Sequence, residues 1–107
     1  MNLLQARKRY IPMTETMFFI LDALREERHG YGIMQYVARL TNDRITLGAG
    51  TIYSSISKLE KDGLIVQTKE ENRQKKYLIT EEGKTILEEE VHRILELAVV
   101  AKSILKD

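Results

Sequence analysis

The residues with the clearest capacity for chemistry lie between Gly50 and Leu64, where short polar side chains and lysines recur at helical spacing. Ile52, Ile56 and Leu59 fall at i, i+4 and i+7, and this spacing predicts one buried helix face. The opposite face carries serine hydroxyls and lysine ammonium groups, which donate hydrogen bonds and attract anions without adding bulk. A helix with such a face fits the major groove of DNA. An ordinary surface helix with solvated lysines is the alternative interpretation.

Charged residues are unevenly distributed along the 107 residues, although the net charge is only +1. Residues 1–9 and residues 44–80 each carry a net charge of +3, whereas residues 10–43 carry −2 and residues 81–107 carry −3. Positive charge therefore concentrates on an N-terminal arm and on the middle third of the chain. The acidic end should avoid phosphates.

The composition, with 43% hydrophobic and 31% charged residues, fits one globular domain and not a disordered chain. The sequence has no cysteine, which excludes disulfides and thiolate metal sites. The apolar run at the N-terminus is too short for a signal peptide, and no window holds about 18 uninterrupted apolar residues. We therefore expect a cytoplasmic protein with no membrane association, no cofactor and no metal site.

Periodicity and turn residues predict the elements of the first half of the chain. Residues 1–9 form a short helix or a loose arm, which Pro12 ends. Thr14 is a candidate N-cap for the next helix. A further helix covers residues 33–40 and is followed by a polar turn at residues 41–43. Ile45 and Leu47 suggest a brief extended segment before the helix that starts near Gly48.

The second half begins with a predicted β-hairpin whose strands cover residues 64–69 and 75–79. Four cations lie on or beside its charged tip, and in the functional interpretation they contact the DNA backbone: Lys69, Arg73, Lys75 and Lys76. A solvated charged turn is the alternative. The predicted fold class is mainly α with a small β-hairpin, because three helices followed by a two-stranded hairpin is the order of a winged helix-turn-helix. We assign this domain, with its N-terminal arm, to residues 1–80.

The last helix, which Thr80 can cap, carries a heptad-like apolar seam over residues 81–107. Its members are spaced 4, 3, 4, 3 and 4 residues apart: Leu87, Val91, Ile94, Ala98, Ala101 and Leu105. The helix would run roughly 39 Å, which is more than the small domain can cover. We predict that it pairs with a second copy to form a homodimer, while folding back onto its own core is the alternative.

Four sequence blocks together resemble the signature of PadR-like transcriptional regulators. They cover His29–Ile33, Gly50–Tyr53, Leu59–Ile65 and Lys76–Gly83. The single short C-terminal helix is similar to that of the smaller subfamily, which includes multidrug-responsive repressors. The resemblance implies a homodimeric winged-helix repressor that binds a double-stranded operator with two-fold symmetry.

The resemblance also implies roles for individual positions. Tyr53, the serines beside it and the cations of the hairpin match positions that approach DNA. In the drug-responsive relatives a tryptophan on the dimerisation helix stacks on flat ligands, but Ile94 stands at that position here, which argues against aromatic stacking. A small hydrophobic effector at the dimer interface is nevertheless expected, since the apolar surface of the last helix exceeds what a simple seam needs.

The predicted DNA-binding residues share hydroxyl or cationic side chains on or beside the third helix and the hairpin: Tyr31, Thr51, Tyr53, Ser54, Ser55, Lys58, Lys61, Arg73, Lys75 and Lys76. For the two tyrosines a packing role is the alternative to a phosphate contact.

An enzyme is not expected, because the sequence has no Gly-rich phosphate loop, no nucleophile with a partnered base and no metal-ligand spacing. Glu88–Glu90 is interpreted as a solvated helix face. The function predicted is that of a sequence-specific repressor relieved by a small molecule. A winged-helix module that binds protein in place of DNA remains the alternative, since a fold does not settle a function.

Overall fold

The computed structural model describes residues 1–106, which form five helices and a three-stranded antiparallel sheet. In chain order the elements are α1 (Leu3–Tyr10), α2 (Glu15–Ala23), β1 (Arg28–His29), α3 (Gly30–Leu40), α4 (Ala49–Lys61), β2 (Ile65–Glu71), β3 (Gln74–Ile79) and α5 (Glu81–Leu105). Within this part of the chain, no helix combines the length and the hydropathy that crossing a membrane requires.

Side-chain caps fix where four of the helices begin. Asn2 accepts a hydrogen bond from the Gln5 amide in a capping box, and Thr14 starts α2 as predicted. The His29 imidazole caps α3, because its Nδ1 atom accepts a hydrogen bond of 3.0 Å from the Gly32 amide. Thr80 caps α5 as predicted. These acceptors satisfy N–H groups that the first helical turn leaves without partners.

The sheet has the strand order β1-β3-β2, with β3 antiparallel to both neighbours. A bulge at Thr68 interrupts the β2–β3 register between Gln67 and Lys69. The hairpin turns at Asn72 and Arg73, whose positive φ angles of 51° and 65° are those of the two-residue turn that suits twisted strands. We call residues 65–79 the wing.

The hydrophobic core lies between helices α2, α3 and α4 and the first turns of α5. Ile52, Ile56 and Leu59 are buried, so the predicted inner face of α4 is confirmed. They pack in one cluster with side chains of α2, α3, the sheet and α5, among them Leu21 and Ile86. The succession of α2, α3 and α4 and then the β2–β3 hairpin confirms the mainly helical winged-helix fold class.

Three local expectations differ from the structure, the first being the helix predicted over residues 33–40, which begins at Gly30 behind the His29 cap. The two-residue strand β1 at Arg28–His29 was not predicted, since so short a strand has no periodicity of its own. The extended segment expected at Ile45 and Leu47 is wrong, because neither residue belongs to a strand. Both side chains are partly buried and pack against the core as an irregular loop.

The end of α4 is joined to the start of α5 by a very close backbone approach. A Cβ atom added to Gly83 would lie 2.1 Å from the carbonyl oxygen of Leu64. The same carbonyl accepts a 3.0 Å hydrogen bond from the Thr80 amide, and the Thr80 hydroxyl donates to the carbonyl of Gly63 at 2.7 Å. Only glycine fits at position 83, so this contact sets the position of α5 against the loop after α4.

We predict that Gly83→Ala destabilises the fold by about 3 kcal/mol, because the clash is with backbone that cannot move aside. Gly50→Ala is the matched control, since nothing lies within 4 Å of the Cβ position there, and alanine should be neutral or up to about 1 kcal/mol more stable in a helix. Urea unfolding at equal chain concentration measures both variants. Equal stabilities for the two would contradict the importance of this contact.

Candidate nucleic-acid interface

Helix α4 carries six of the ten predicted contact residues, and four of them share its outward face. The four residues on this face are exposed: Thr51, Ser54, Lys58 and Lys61. Ser55 is less accessible, because it is half-buried at the edge of the packed face. The exposed side chains lie opposite the buried stripe because both sets follow the helical repeat. Hydroxyl and ammonium groups on one accessible helix face offer hydrogen bonds to base edges and positive charge to phosphates.

Lys58 is exposed as predicted, but it also has a partner in its own chain. Its ammonium group lies 5.1 Å from the centre of the Tyr10 ring, over α1. A cation above an aromatic face is attracted to the ring quadrupole, so this contact draws the lysine toward one edge of α4. The ammonium group remains on the exposed side of the helix.

Tyr53 lies on the flank of α4, where its ring packs across the first residue of α3. The side chain is 53% exposed, and Tyr31 nearby is 58% exposed with its ring stacked on His29 at a centroid distance of 6.5 Å. Both tyrosines line one concavity of about 400 Å³ between α4 and the wing, together with Arg73 and Lys75. The structure thus brings four of the predicted residues from three elements to one place.

The cations of the wing divide into two groups. The ammonium groups of Lys69 and Lys76 lie 3.1 Å and 3.7 Å from carboxylate oxygens of Glu71. Within residues 1–106, no carboxylate lies within ion-pairing distance of Arg73 or Lys75. These two residues are therefore the wing cations outside ion pairs, with Glu70 opposite Lys75 in the β2–β3 register and both Glu60 and Glu70 lining the same concavity. Arg73 also adopts the left-handed backbone that a β-hairpin turn demands, a conformation that is costly for a residue with a side chain.

The N-terminal segment is a docked helix and not a loose arm. Arg7 forms a bidentate contact with Glu89 of α5, in which Nε donates to Oε1 at 2.7 Å. Arg9 donates to both oxygens of Asp62 at 2.9 Å and 3.0 Å. Two of the three basic residues counted for the arm are thus paired inside the chain, which leaves Lys8 as its remaining basic side chain.

Asp62, which no sequence pattern marks, is a buried acid at the end of α4. Tyr10 donates its hydroxyl to Oδ2 of Asp62 at 2.5 Å, in addition to the contacts from Arg9. Burial raises the pKa of Asp62, but the hydrogen bonds from Tyr10 and Arg9 outweigh it and hold the pKa below its usual value. Burial and the Asp62 carboxylate raise the pKa of Tyr10.

Helix α5 extends beyond the domain with an apolar surface that residues 1–106 leave exposed. Val91 and Ile94 are each 37% exposed, and further along α5 Val100 reaches 61%. Leu87, predicted for the same seam, is instead buried in the core of its own chain, so the available seam begins at Val91. Its other predicted members are Ala98, which is half-buried, and Ala101 and Leu105, which are exposed.

The prediction that Glu88–Glu90 is a solvated face is wrong for Glu90, which is only 1% exposed. The Arg93 guanidinium donates to both its oxygens at 2.6 Å and 2.8 Å, and the Met13 amide donates to Oε2 at 2.8 Å. The hydrogen bonds from Arg93 outweigh burial and hold the pKa of Glu90 below its usual value. The spacing gave a signal, because Glu90 lies three residues after the buried Leu87.

The chain belongs to the transcriptional regulator PadR-like family, whose sequence model matches residues 20–89. Proteins of this family are DNA-binding regulators and not enzymes, in agreement with the function class predicted above. The matched residues include α3, α4, the wing and the first turns of α5.

Relatives of known sequence match the same part of the chain. Transcriptional regulator YqjI of Escherichia coli (strain K12) is 34% identical over 84 residues, or 78% of this chain. The chain spans about two fifths of the length of that relative, since the match covers 41% of YqjI. A 37.1 kDa protein of transposon TN4556 from Streptomyces fradiae, described as uncharacterized, is 31% identical over 85 residues and matched over 24% of its length.

Solved structures have the same fold. A transcriptional regulator from Clostridium thermocellum, 27% identical, superposes with a TM-score of 0.66 over 84% of this chain and 86% of its own. A PadR-like transcriptional regulator from Bacillus cereus, 23% identical, gives a TM-score of 0.73 over 96% of this chain and 98% of its own. At 23% identity the second likeness is one of fold alone.

The Asp62 cluster predicts how stability depends on pH. The carboxyl is harder to protonate in the folded chain than in the unfolded chain, where its pKa is about 3.9. It therefore stabilises the fold above that pH, and the contribution is lost as the pH falls through the lower folded pKa. Asp62→Asn should cost about 2 kcal/mol at pH 7 and progressively less below about pH 4.

The exposed Asp43 provides the matched control, because Asp43→Asn removes the same charge outside this cluster. It should change stability little at either pH. Chemical denaturation of the three proteins at several pH values measures the effect. A cost of Asp62→Asn that is the same at pH 3 and pH 7 would contradict this assignment.

Proposed function

We propose that this chain acts as a homodimeric, sequence-specific repressor that binds a double-stranded operator with two-fold symmetry. The observation that carries the proposal is the exposed polar face of α4 beside the wing. Two cations at the tip of the wing, Arg73 and Lys75, form no ion pair among the described residues. Helix α4 enters the major groove, and the wing lies along the backbone. Membership of a family of DNA-binding regulators supports the DNA binding in this proposal.

Base recognition falls to the short polar side chains of α4. Thr51, Ser54 and Ser55 reach base edges or nearby phosphates, and Lys58 joins them when it leaves the Tyr10 ring. Because hydroxyl groups both donate and accept hydrogen bonds, each one can bind either a donor or an acceptor on a base edge. Lys61, one turn further along, contributes charge to the same face.

Backbone contacts come from the concavity between α4 and the wing. Tyr31 and Tyr53 donate their hydroxyls to phosphate oxygens, and Arg73 and Lys75 contribute positive charge. Such contacts position the protein and supply salt-dependent affinity without reading sequence. Lys76 takes a smaller part, because its ammonium group is already 3.7 Å from a carboxylate oxygen of Glu71.

Dimerisation, in this proposal, covers the apolar face of α5 within residues 81–107. Leu97, Val100 and Ile104 are between 59% and 67% exposed in the single chain, which is unusual for adjacent aliphatic side chains. Each one that becomes fully buried contributes about 1.5–3 kcal/mol. Pairing through α5 would place two copies of α4 about 34 Å apart, which is one turn of DNA.

A small hydrophobic effector is proposed beside the same interface. A cavity of about 330 Å³ lies between the start of α2 and α5, and Met13, Phe18, Phe19 and Ile94 contribute its apolar lining. The cavity borders the proposed dimer seam at Ile94, so an occupant could alter how the two subunits sit and release the operator. Flat apolar compounds that raise the melting temperature and also displace DNA would support this.

The electrostatic part of the proposal predicts that affinity for duplex DNA falls steeply as salt increases. Lys75→Ala should weaken binding to all sequences alike and reduce the slope of log affinity against log salt by about 1. Lys84→Ala, on the first turn of α5, is the control and should leave the slope unchanged. Fluorescence anisotropy across a salt series measures both. Affinity that ignores salt would favour the protein-binding alternative.

The dimer predicts a clear difference between two substitutions on α5. Ala101→Glu places a carboxylate on the seam and should weaken self-association at least about tenfold, the equivalent of 1.4 kcal/mol. Ser103→Glu introduces the same charge about 200° around the helix from Ala101, where the serine hydroxyl donates to the Val100 carbonyl. Sedimentation equilibrium measures both variants. A wild-type chain that remains monomeric at micromolar concentration would contradict the dimer.

A further inference from the structure

We infer that Gly30 is a positioning residue for DNA binding, because its missing side chain lets the Tyr53 ring lie across the start of α3. The inference rests on the proposed function and adds a residue that has no polar group of its own. Gly30 is buried, whereas Tyr53 is half exposed on the flank of α4. The backbone at the start of α3 thus forms the seat on which the ring rests, and α4 provides the hydroxyl.

The geometry of the contact is tight and specific to one glycine. A Cβ atom at Gly30 would lie 2.8 Å from both Cζ and Oη of Tyr53 and 3.0 Å from Cε1. The phenol end of the ring therefore rests directly on the backbone at the first residue of α3. Real side chains do not approach a Cβ atom this closely, so an alanine there would displace the ring.

The neighbouring Gly32 shows that helix geometry is not the reason for Gly30. A Cβ atom at Gly32 would lie 3.5 Å from Cε1 of His29, which is ordinary van der Waals contact. Neither glycine has a positive φ, so both positions accept an L-residue backbone. The requirement for glycine at position 30 therefore arises from the ring of Tyr53.

The seat determines where the Tyr53 hydroxyl points. Tyr53 and Tyr31 line the same concavity as Arg73 and Lys75, which is the place proposed for the DNA backbone. A hydroxyl held against α3 is already ordered before DNA arrives, which reduces the entropy lost on binding. A displaced ring would lose that order, and its hydroxyl would no longer be held in the concavity proposed for the phosphate.

The fold should tolerate an alanine at position 30. The obstructing atoms belong to the far end of an exposed side chain, which can rotate away at small cost. At Gly83, by contrast, the obstructing atom is a backbone oxygen. Gly30→Ala therefore separates the placement of one ring from the stability of the whole chain.

The experiment compares Gly30→Ala, Gly32→Ala, Tyr53→Ala and the double variant Gly30→Ala/Tyr53→Ala. The probe is the duplex that the wild-type protein enriches from a random-sequence library, and fluorescence anisotropy at fixed salt gives the affinities. Incorporation of 3-fluorotyrosine supplies five ¹⁹F signals, one for each tyrosine. Loss of one signal in Tyr53→Phe assigns the Tyr53 resonance.

We expect Gly30→Ala to shift the Tyr53 resonance and to lower affinity about tenfold, as Tyr53→Ala does, because a hydrogen bond to a charged group is lost. Gly32→Ala should do neither. In the Tyr53→Ala background, Gly30→Ala should have no further effect, since the ring it displaces is absent.

Two results would overturn the inference. A shifted Tyr53 resonance with unchanged affinity would mean that the ring position does not matter for DNA. A loss of affinity that is equally large in the Tyr53→Ala background would mean that Gly30 acts by another route. If the wild-type protein enriches no duplex, the proposed function itself fails, and the role of Gly30 in it fails too.

Discussion

The close approach of Gly83 to the Leu64 carbonyl is the constraint on which the arrangement of the other elements depends. The chain passes from α4 through Gly63, whose φ is +78°, and returns from the wing to Thr80, which binds the carbonyls of Gly63 and Leu64. The amide of Ile79 also donates to the carbonyl of Leu24 at 2.8 Å. Since these bonds involve backbone, they fix the start of α5 against both α2 and α4.

Helix α1 provides a second connection between the same elements. Arg7 holds it to Glu89 of α5, while Arg9 and Tyr10 hold it to Asp62 at the end of α4. A buried carboxylate is costly unless charged and neutral donors satisfy it, and Asp62 has both. In the proposed dimer, the separation of the two α4 helices would therefore follow from how the α5 helices pair.

The sequence was sufficient for the elements that have strong periodicity or a cap. The buried stripe of α4, the caps Thr14 and Thr80 and the hairpin before α5 follow from local patterns that agree with the tertiary structure. Strand β1 was missed because its partner, β3, lies almost 50 residues away, and pairing over that distance leaves no mark on two residues.

The site was harder to predict, because long side chains choose partners that spacing does not reveal. Lys58 lies over Tyr10, Lys76 pairs with Glu71, and Leu87 packs inside its own chain. Asp62 takes its donors from α1, and Glu90 takes one from the segment after α1 besides those from Arg93 of its own helix, so the burial of both acids depends on tertiary docking. The position of α4 was thus predictable from local rules, whereas the set of nearby charged side chains that stay unpaired was not.

In the proposed dimer, two chains joined by α5 present two α4 helices to one duplex. Hydroxyl-radical footprinting of the wild-type complex on its enriched duplex, with the stoichiometry from sedimentation velocity, measures this directly. We expect two chains per duplex and two protected half-sites, related by two-fold symmetry and about 34 Å apart. One chain bound to a single protected segment at full affinity would contradict it.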